Sequence, residues 1–280
     1  IRKFTAERAQ RLGLLAWDRK RRKGLLRRLG IQVAQTTGET LATLETGRGD
    51  PPALAGLARD LVRAFPRVVG VVRREFDRLD RFVGESILCG RDHLFEEVDG
   101  DRLKVPAGAF FQPNAAGAGR LREVVLRALD PRAEESILEL YCGIGFFTLP
   151  LARRARQVVG LDVSREAVVA ARDNAARAGL GNTRFLCRDV EEALPGLLNE
   201  AGRDALLIDP PRAGLPRAAA RAIAGAPVPR LVYVSCDPAT LARDIRLLSE
   251  TGGLRLRSLT PLDLFPQTHH VECVARLDRA

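Results

Sequence analysis

The chain has 280 residues, 46% hydrophobic content and a net charge of +10, which is enough for one large domain or two smaller ones with apolar cores. No apolar run approaches the roughly 20 residues that a membrane-spanning helix needs, and the opening stretch IRKFTAERAQ lacks signal-peptide character. A membrane-spanning helix is therefore not expected, a cytoplasmic location is expected, and the absence of methionine predicts a fragment or processed product of a longer protein.

The first predicted feature is a basic arm. Residues 1–30 hold eleven Lys or Arg and two Asp or Glu, centred on the stretch DRKRRKGLLRRLG, whereas the other 250 residues are nearly balanced. Basic side chains release the counterions that condense on a phosphate backbone, so nucleic acid is the expected partner of this arm. A solvated basic tail or an anionic membrane surface is the alternative.

Residues 24–105 are predicted to form a small α+β domain of mostly antiparallel strands around one helix. The strands LLRRLGIQVAQ and ETLATLET flank a TTG turn, and PPALAGLARDLVRAF has prolines at its start and apolar residues at helical spacing. RVVGVVRREF and RFVGESILCG follow as strands, and Asp99-Gly100 turns a hairpin between HLFEEV and RLKV. With the basic arm, this domain is expected to span residues 1–105.

Residues 106–280 are predicted to form a second domain in which strands alternate with helices. After the loop PAGAFFQPN and a helix, strands are expected at ESILELY, QVVGLDV, TRFLCRDV, DALLIDPP and RLVYVSC, each followed by a helix, the third of which is placed after Leu194. This alternation predicts a parallel α/β sheet. LRLRSLTPLDLF and HHVECVARLD close it as an antiparallel pair, which is similar to the class I methyltransferase (Rossmann-like) fold.

Polar residues and glycines stand where these strands end, and open α/β sheets bind ligands at the carboxyl ends of their strands. The residues concerned are Tyr141, Gly143 and Gly145 after the first strand and Asp162, Asp189 and Asp209 after the next three. Glycine allows a ligand close to the backbone, and a carboxylate can accept hydrogen bonds from ribose hydroxyls. We favour S-adenosylmethionine over a nicotinamide dinucleotide, whose fingerprint has a third glycine where this chain has Thr148. A tight strand–helix turn without a ligand is the alternative.

Five stretches together resemble the RNA uracil-5 methyltransferases: FFQPN (110–114), LELYCGIGFFTLPLA (138–152), DPPRAGL (209–215), YVSCDPATLARD (233–244) and DLFPQTHHVE (263–272). The resemblance spans residues 24–278. It implies that Cys236 is the nucleophile, that Glu272 is the general base, and that S-adenosylmethionine is contacted by Gln112, Tyr141, Asp162 and Asp209. Phe146 departs from the pattern, because many members have a small polar residue at that position.

The implied reaction needs one thiol and one base. A thiolate that adds to carbon 6 of uracil makes carbon 5 nucleophilic enough to attack a sulfonium methyl, and a base must then remove the carbon-5 proton before the thiolate leaves. Cys236 stands between a strand and the helix PATLARDI, whose dipole favours a thiolate, although Asp237 opposes this effect. Glu272 is flanked by Val271 and Cys273, so burial is expected to raise its pKa; a solvent-facing strand residue is the alternative.

The remaining cysteines are expected to be structural. Cys89, Cys187 and Cys273 lie within apolar strand patterns and are predicted to be small buried hydrophobes, and Cys142 is expected to belong to the glycine turn.

Other side chains carry weaker predictions. Arg212 and Phe111 are expected to contact the substrate, at a phosphate and at a flipped base, with a surface salt bridge and core packing as alternatives. His269 and His270 with Glu272 do not predict a metal site, because adjacent strand residues point to opposite faces.

The sequence thus predicts a monomeric, S-adenosylmethionine-dependent enzyme that methylates carbon 5 of a splayed or flipped uridine in structured RNA through a covalent cysteine adduct. Ribosomal RNA is preferred to transfer RNA as the substrate. A non-catalytic RNA-binding module with a relic cofactor pocket is one alternative. A cytosine-5 RNA methyltransferase ranks lower, because the Pro-Cys and Thr-Cys motifs of those enzymes are absent.

Overall fold

The computed structural model describes residues 1–112, 114–200, 203–268 and 270–280. These residues divide into two compact units, the first comprising residues 1–97 and 104–109 and the second comprising residues 98–103 and 110–280. Within the described ranges, no helix is both long enough and apolar enough to span a lipid bilayer.

A four-stranded sheet and two helices form most of the first unit, all of whose residues are described. The elements are α1 (Arg2–Arg11), β1 (Leu26–Val33), β2 (Thr40–Thr46), α2 (Pro52–Ala64), β3 (Val68–Phe76) and β4 (Phe82–Gly90). The strands lie in the order β1-β2-β3-β4. β2 and β3 are parallel, because the chain crosses over through α2, and the other neighbours are antiparallel as predicted. The apolar face of α2 supplies Leu54, Leu57 and Leu61 to the core of this unit.

The predicted basic arm is folded as part of the first unit. Its beginning is α1, which buries Ala9 and places the Phe4 ring 5.3 Å from that of Phe65. A tight turn follows, in which the Asp18 carboxylate accepts hydrogen bonds from the backbone N–H groups of Lys20 and Arg21 at 2.9 and 3.0 Å. The densest run of basic residues therefore has a defined backbone.

The predicted hairpin is present as β5 (His93–Val98) and β6 (Asp101–Pro106). Its turn residues Asp99 and Gly100 both have positive φ angles, of 50° and 83°, as expected for this kind of two-residue turn.

The second unit is a parallel sheet that is covered by helices and closed by an antiparallel pair. Its further elements are α3 (Ala115–Leu129), β7 (Ser136–Leu140), α4 (Thr148–Ala152), β8 (Gln157–Asp162), α5 (Arg165–Arg177), β9 (Thr183–Cys187), α6 (Val190–Asn199), β10 (Ala205–Ile208), α7 (Arg217–Gly225), β11 (Arg230–Ser235), α8 (Pro238–Gly252), β12 (Leu254–Leu262) and β13 (Glu272–Arg279). Among the described residues, the strand order is β12-β13-β11-β10-β7-β8-β9, and β13 is antiparallel to both neighbours. This arrangement confirms the predicted class I methyltransferase fold.

The order of the strands determines where a ligand can bind. From β7 the chain continues to β8 on one side of the sheet, whereas β10 lies on the other side of β7. Such a reversal leaves a crevice at the carboxyl ends of the strands. One helix boundary was predicted wrongly: α6 begins at Val190 and not after Leu194, because the Asp189 side chain caps the helix at Glu191 and Glu192.

A buried ion pair holds the backbone after β7. Arg122 of α3 is 1% exposed, and its Nη1 lies 2.9 Å from Asp101 Oδ2. Its Nε donates a hydrogen bond of 2.9 Å to the carbonyl oxygen of Phe146, and the guanidinium lies 4.5 Å above the Phe146 ring. Burial lowers the pKa of Arg122 and the Asp101 charge opposes that effect, so the carboxylate is needed to stabilise the buried cation.

We expect Asp101→Asn to lower the free energy of unfolding by about 3 kcal/mol, because it leaves the Arg122 charge buried without its carboxylate. Asp99→Asn is the matched control, since its side chain is 56% exposed and lies 3.9 Å from Arg122. The control should change stability by about 0.5 kcal/mol or less. Denaturant titrations of both variants measure the difference, and equal stabilities would contradict the role given to Asp101.

Candidate active site

The loop after β7 is shaped by positive backbone angles. Tyr141, Gly143 and Gly145 have φ angles of 61°, 54° and 85°. A side chain at Gly143 would meet no atom within 4 Å, so the loop borders open space at this position. Tyr141 adopts a conformation that L-residues rarely use, and such strain is common where a backbone is shaped to receive a ligand.

Asp162, at the end of β8, holds this loop in place through a hydrogen bond. Its Oδ2 accepts a hydrogen bond of 2.9 Å from the Gly143 N–H, and its Oδ1 accepts one of 2.8 Å from the Ser164 N–H. Each carboxylate oxygen keeps a further lone pair. Asp162 can therefore still accept hydrogen bonds from a ligand while it holds the glycine turn.

Tyr141 and Asp189 follow the carboxyl ends of β7 and β9, so they lie at the same edge of the sheet as Asp162. Burial, followed by the charges of Asp189, Glu191 and Asp162, raises the pKa of the Tyr141 phenol to about 12. The Tyr141 hydroxyl thus remains protonated and can donate a hydrogen bond. Asp189 is exposed, and its Oδ1 caps α6 with hydrogen bonds of 2.8 and 3.3 Å.

Gln112 carries a buried acceptor without a partner. The residue is 8% exposed, and its Oε1 makes no hydrogen bond within the described part of the chain. The neighbouring Phe111 ring lies 5.7 Å from the ring of Phe146 in the β7 loop, which brings this part of the chain close to that loop. An unpaired buried oxygen is unfavourable, and a donor on a bound ligand would satisfy it.

Two carboxyl groups with raised pKa values lie at the ends of β7 and β10, Glu139 buried and Asp209 half-buried. Burial raises the pKa of Glu139 to about 8, and Thr148 Oγ1 donates a hydrogen bond to this side chain. Burial and the charge of Glu272 raise the pKa of Asp209 to about 8. At neutral pH both groups are mainly protonated, so they can act as hydrogen-bond donors as well as acceptors.

The thiol and the predicted base are brought together by strand register. Ser235 of β11 pairs with Cys273 of β13 in an antiparallel ladder, so the next step along each strand sets Cys236 opposite Glu272. Cys236 is half-buried, and Glu272 is 3% exposed. Burial raises the pKa of Glu272 to about 7. Burial and then the Glu272 charge raise the pKa of the Cys236 thiol.

Arg212 acts in the opposite direction on the thiol. Its charge and its side-chain interaction with Cys236 both lower the thiol pKa, although burial and Glu272 have the larger effects. This contact with the thiol was not anticipated from the sequence, which suggested a phosphate contact for Arg212. The exposed guanidinium is thus placed to stabilise a thiolate.

Helix α8 holds the loop that carries Arg212. Thr240 Oγ1 donates a hydrogen bond of 3.2 Å to the Arg212 carbonyl, and Arg243 Nη2 donates one of 2.8 Å to the Ala213 carbonyl. Asp244, which is 2% exposed, accepts hydrogen bonds from the Leu215 N–H at 2.8 Å and from the Tyr233 hydroxyl at 2.7 Å. Helix α8 therefore follows closely after Cys236 in the chain and also holds the backbone of the loop that carries Arg212.

The aromatic residues near the crevice separate into packing and exposed positions. Phe146 is 8% exposed and packs on Phe147, with ring centroids 4.7 Å apart, and on Arg122. This packing explains why a large apolar residue is accommodated there. Phe111 is partly buried against Phe146, whereas Phe110 is 72% exposed.

A comparison with known proteins identifies the family. The family model described as tRNA (uracil-5-)-methyltransferase matches residues 79–280. The chain belongs to this family. An uncharacterized RNA methyltransferase of Gloeobacter violaceus is 40% identical over 271 residues, which cover 96% of this chain and 58% of that protein. One of Thermosynechococcus vestitus is 41% identical over 254 residues, which cover 90% of this chain and 56% of the relative.

The chain therefore spans less than three fifths of the length of these relatives. Among solved structures, it is similar to the Pyrococcus abyssi tRNA (uracil-54, C5)-methyltransferase in complex with S-adenosyl-L-homocysteine, with a TM-score of 0.78 and 26% identity. That similarity covers 98% of this chain and 65% of the archaeal one. It extends over both units and not only over the methyltransferase fold.

For this member of the uracil-5 methyltransferase family, the sequence analysis missed Glu139 and Asp244. Each had a readable signal, because Glu139 interrupts the apolar strand SILEL and Asp244 falls at the buried spacing of α8 with Leu241 and Leu248. Cys273 is buried as predicted, Cys89 is partly buried, and Cys142 is buried in the turn after β7.

The prediction for Cys187 was wrong. This residue is exposed, because it ends β9 at the edge of the sheet. His269, from the set considered for a metal, lies outside the described residues.

Alkylation of Cys236 tests the contacts of the thiol. Arg212→Gln should move the pH profile of iodoacetamide modification at Cys236 to higher pH, because it removes a charge that lowers the thiol pKa. Glu272→Gln should move the profile to lower pH, because it removes a charge that raises the pKa. Peptide mass spectrometry measures both shifts, with the exposed Cys187 as the internal reference. Profiles that stay in place in both variants would contradict the described geometry.

Proposed function

We propose that the chain transfers a methyl group from S-adenosylmethionine to carbon 5 of a uridine in RNA, through a covalent bond between Cys236 and carbon 6. The observation that carries this proposal is the placement of Cys236 opposite Glu272 beside the crevice of a class I methyltransferase fold. Membership of the uracil-5 methyltransferase family supports it, as does the similar archaeal enzyme, whose name gives this reaction.

The crevice has the groups that S-adenosylmethionine requires. Asp162 keeps lone pairs for the ribose hydroxyls, the loop beside Gly143 leaves space, and the unpaired Gln112 Oε1 can accept a hydrogen bond from the ligand. Asp189 and Asp209 are proposed to complete the cofactor site. When bound, S-adenosylmethionine supplies an electrophilic methyl group.

The protein's own residues provide the other steps. In the free protein, burial and Glu272 favour the protonated thiol, so thiolate formation depends on Arg212 and on a proton acceptor. Once the Cys236 sulfur has bonded to carbon 6, carbon 5 gains the electron pair with which it takes the methyl group. Glu272, with a pKa of about 7, is half ionised at neutral pH and can remove the carbon-5 proton, after which the carbon–sulfur bond breaks.

The RNA class is a finer part of this proposal. The family description and the archaeal neighbour name transfer RNA, whereas the bacterial relatives are named only as RNA methyltransferases. We retain ribosomal RNA as the preferred substrate and propose that the chain acts as a cytoplasmic monomer.

Nucleoside analysis after incubation with each RNA class identifies the RNA class that is methylated. The same analysis would support the cytosine-5 alternative if it found 5-methylcytidine. RNA binding without calorimetric binding of S-adenosylmethionine would support the relic module.

Cys236→Ala should reduce methyl transfer to less than about a thousandth of the wild-type rate, because no other group can make carbon 5 nucleophilic. Cys89→Ala removes a thiol of the first unit, which does not contain Cys236 or Glu272, and should keep full activity. The measurement is 5-methyluridine formed per enzyme per minute. Substantial turnover by the Cys236 variant would remove the covalent mechanism.

Glu272→Gln should halt the reaction after methyl transfer, since the carbon-5 proton then has no acceptor and the sulfur cannot leave. The expected product is a protein–RNA adduct that survives denaturing electrophoresis. Glu250→Gln, in the exposed part of α8, is the control and should release methylated RNA normally. Normal product release by the Glu272 variant would exclude its role as the base.

A further inference from the structure

The first unit contains a cavity of about 580 Å³ that is lined mainly by cations. It is bordered by the 17–24 turn, by the beginning of β1, and by the connection between β3 and β4. Its lining includes six basic side chains, which are Arg22, Lys23, Arg27, Arg48, Arg78 and Arg81. Asp77 is the one acidic residue that lines it. The cavity therefore attracts anions strongly and belongs to a different unit from Cys236 and Glu272.

Arg27 is fixed in place within this cavity. Its side chain is 9% exposed, and its guanidinium lies 3.9 Å above the Trp17 ring. Nη1 is paired with the Asp80 carboxylate, and Nη2 donates a hydrogen bond of 2.7 Å to the Asp77 carbonyl. Nε is buried without a hydrogen-bond partner. This cation is thus held in one geometry before any ligand binds.

Asp77 does not neutralise the cavity. Its carboxylate accepts hydrogen bonds from the Leu79 and Arg81 N–H groups at 2.8 and 3.0 Å and from Arg81 Nε at 2.8 Å. These hydrogen bonds, the one from the Arg81 N–H first, lower the pKa of Asp77 to about 2. The carboxylate is therefore committed to the β3–β4 connection and to Arg81.

Four of the cations are available to a ligand. Arg22, Lys23, Arg48 and Arg78 are exposed, and none of them has a carboxylate partner within the part of the chain that the structure describes. Several unpaired cations around one concavity repel each other unless an anion is bound. Guanidinium groups match phosphate oxygens in charge and in planar hydrogen-bond geometry.

The turn that carries Arg22 and Lys23 has a defined backbone. Gly24 has a φ angle of 108°, and a Cβ at this position would lie 2.2 Å from the Ala16 carbonyl oxygen. Trp17 donates a backbone hydrogen bond of 2.7 Å to Leu26, and Asp18 exchanges backbone hydrogen bonds with Lys23. The basic run is therefore positioned against the cavity and does not behave as a flexible tail.

We propose that this cavity binds a phosphodiester group of the RNA substrate, at a nucleotide other than the uridine that is methylated. The inference rests on the proposed function, which supplies a polyanionic substrate. The proposal gives a role to Arg48 and Arg78. They lie outside the basic run in the sequence, and the fold brings them to the same cavity.

Trp17 makes the test direct, because it is the only tryptophan of the chain and it lies in the cavity. In the full chain, titration with an RNA hairpin should change its fluorescence in parallel with fluorescence anisotropy of the labelled RNA. The double variant R48Q/R78Q should weaken RNA binding about tenfold and lower the slope of log Kd against log salt by about one. The control R59Q/R63Q removes the same charge from exposed positions of α2 and should change neither quantity.

Equal losses in the two double variants, or no loss in either, would overturn the proposal. Inorganic phosphate and uridine monophosphate are titrated as separate probes. A Trp17 response to uridine monophosphate at lower concentrations than to RNA would mean that the ligand is a free nucleotide, and this too would overturn the RNA assignment. A failure of the proposed function would be visible separately, as wild-type protein that binds RNA without methylating it.

Discussion

The antiparallel register between β11 and β13 is the constraint on which the candidate active site depends. Because Ser235 pairs with Cys273, the residues one step further, Cys236 and Glu272, come to face each other although 35 residues lie between them in the chain. A shift of one residue would turn Glu272 to the other face of the sheet. The final, antiparallel strand of this fold thus brings a carboxyl group next to a thiol that follows a parallel strand.

Burial and neighbouring charges determine the protonation of Cys236 and Glu272. Burial raises the pKa of Glu139, Asp209 and Glu272, so these three carboxyl groups hold their protons more strongly than ordinary carboxyl groups. Arg212 opposes the effect of burial at Cys236, and Asp244 keeps the Arg212 loop in place through Leu215. In the first unit, the charge is mainly positive, because six basic side chains and one acidic side chain line the cavity at Trp17. The chain therefore combines a crevice lined by carboxyl groups in the second unit with a cationic cavity in the first.

Much of the fold could be predicted because the sequence repeats a strong pattern. Apolar strands ending in glycine or aspartate predicted the parallel sheet, and two strands without an intervening helix predicted its antiparallel end. The start of α6 was predicted too late in the chain. Asp189 had been assigned to a ligand, whereas its side chain caps this helix. Arg212 was assigned to a phosphate, because its contact with Cys236 depends on hydrogen bonds from α8 that sequence spacing does not show. The cavity at Trp17 joins segments that are far apart in the chain.

The proposed reaction requires a bond between the Cys236 sulfur and carbon 6 of a uridine. Incubation of the protein with S-adenosylmethionine and RNA that contains 5-fluorouridine tests it most directly, because fluorine cannot be removed as a proton and the adduct stays intact. We expect a covalent protein–RNA complex whose modified peptide, identified by mass spectrometry, carries the nucleotide on Cys236. A protein that methylates ordinary RNA but forms no such complex, or forms it at another residue, would exclude Cys236 as the nucleophile.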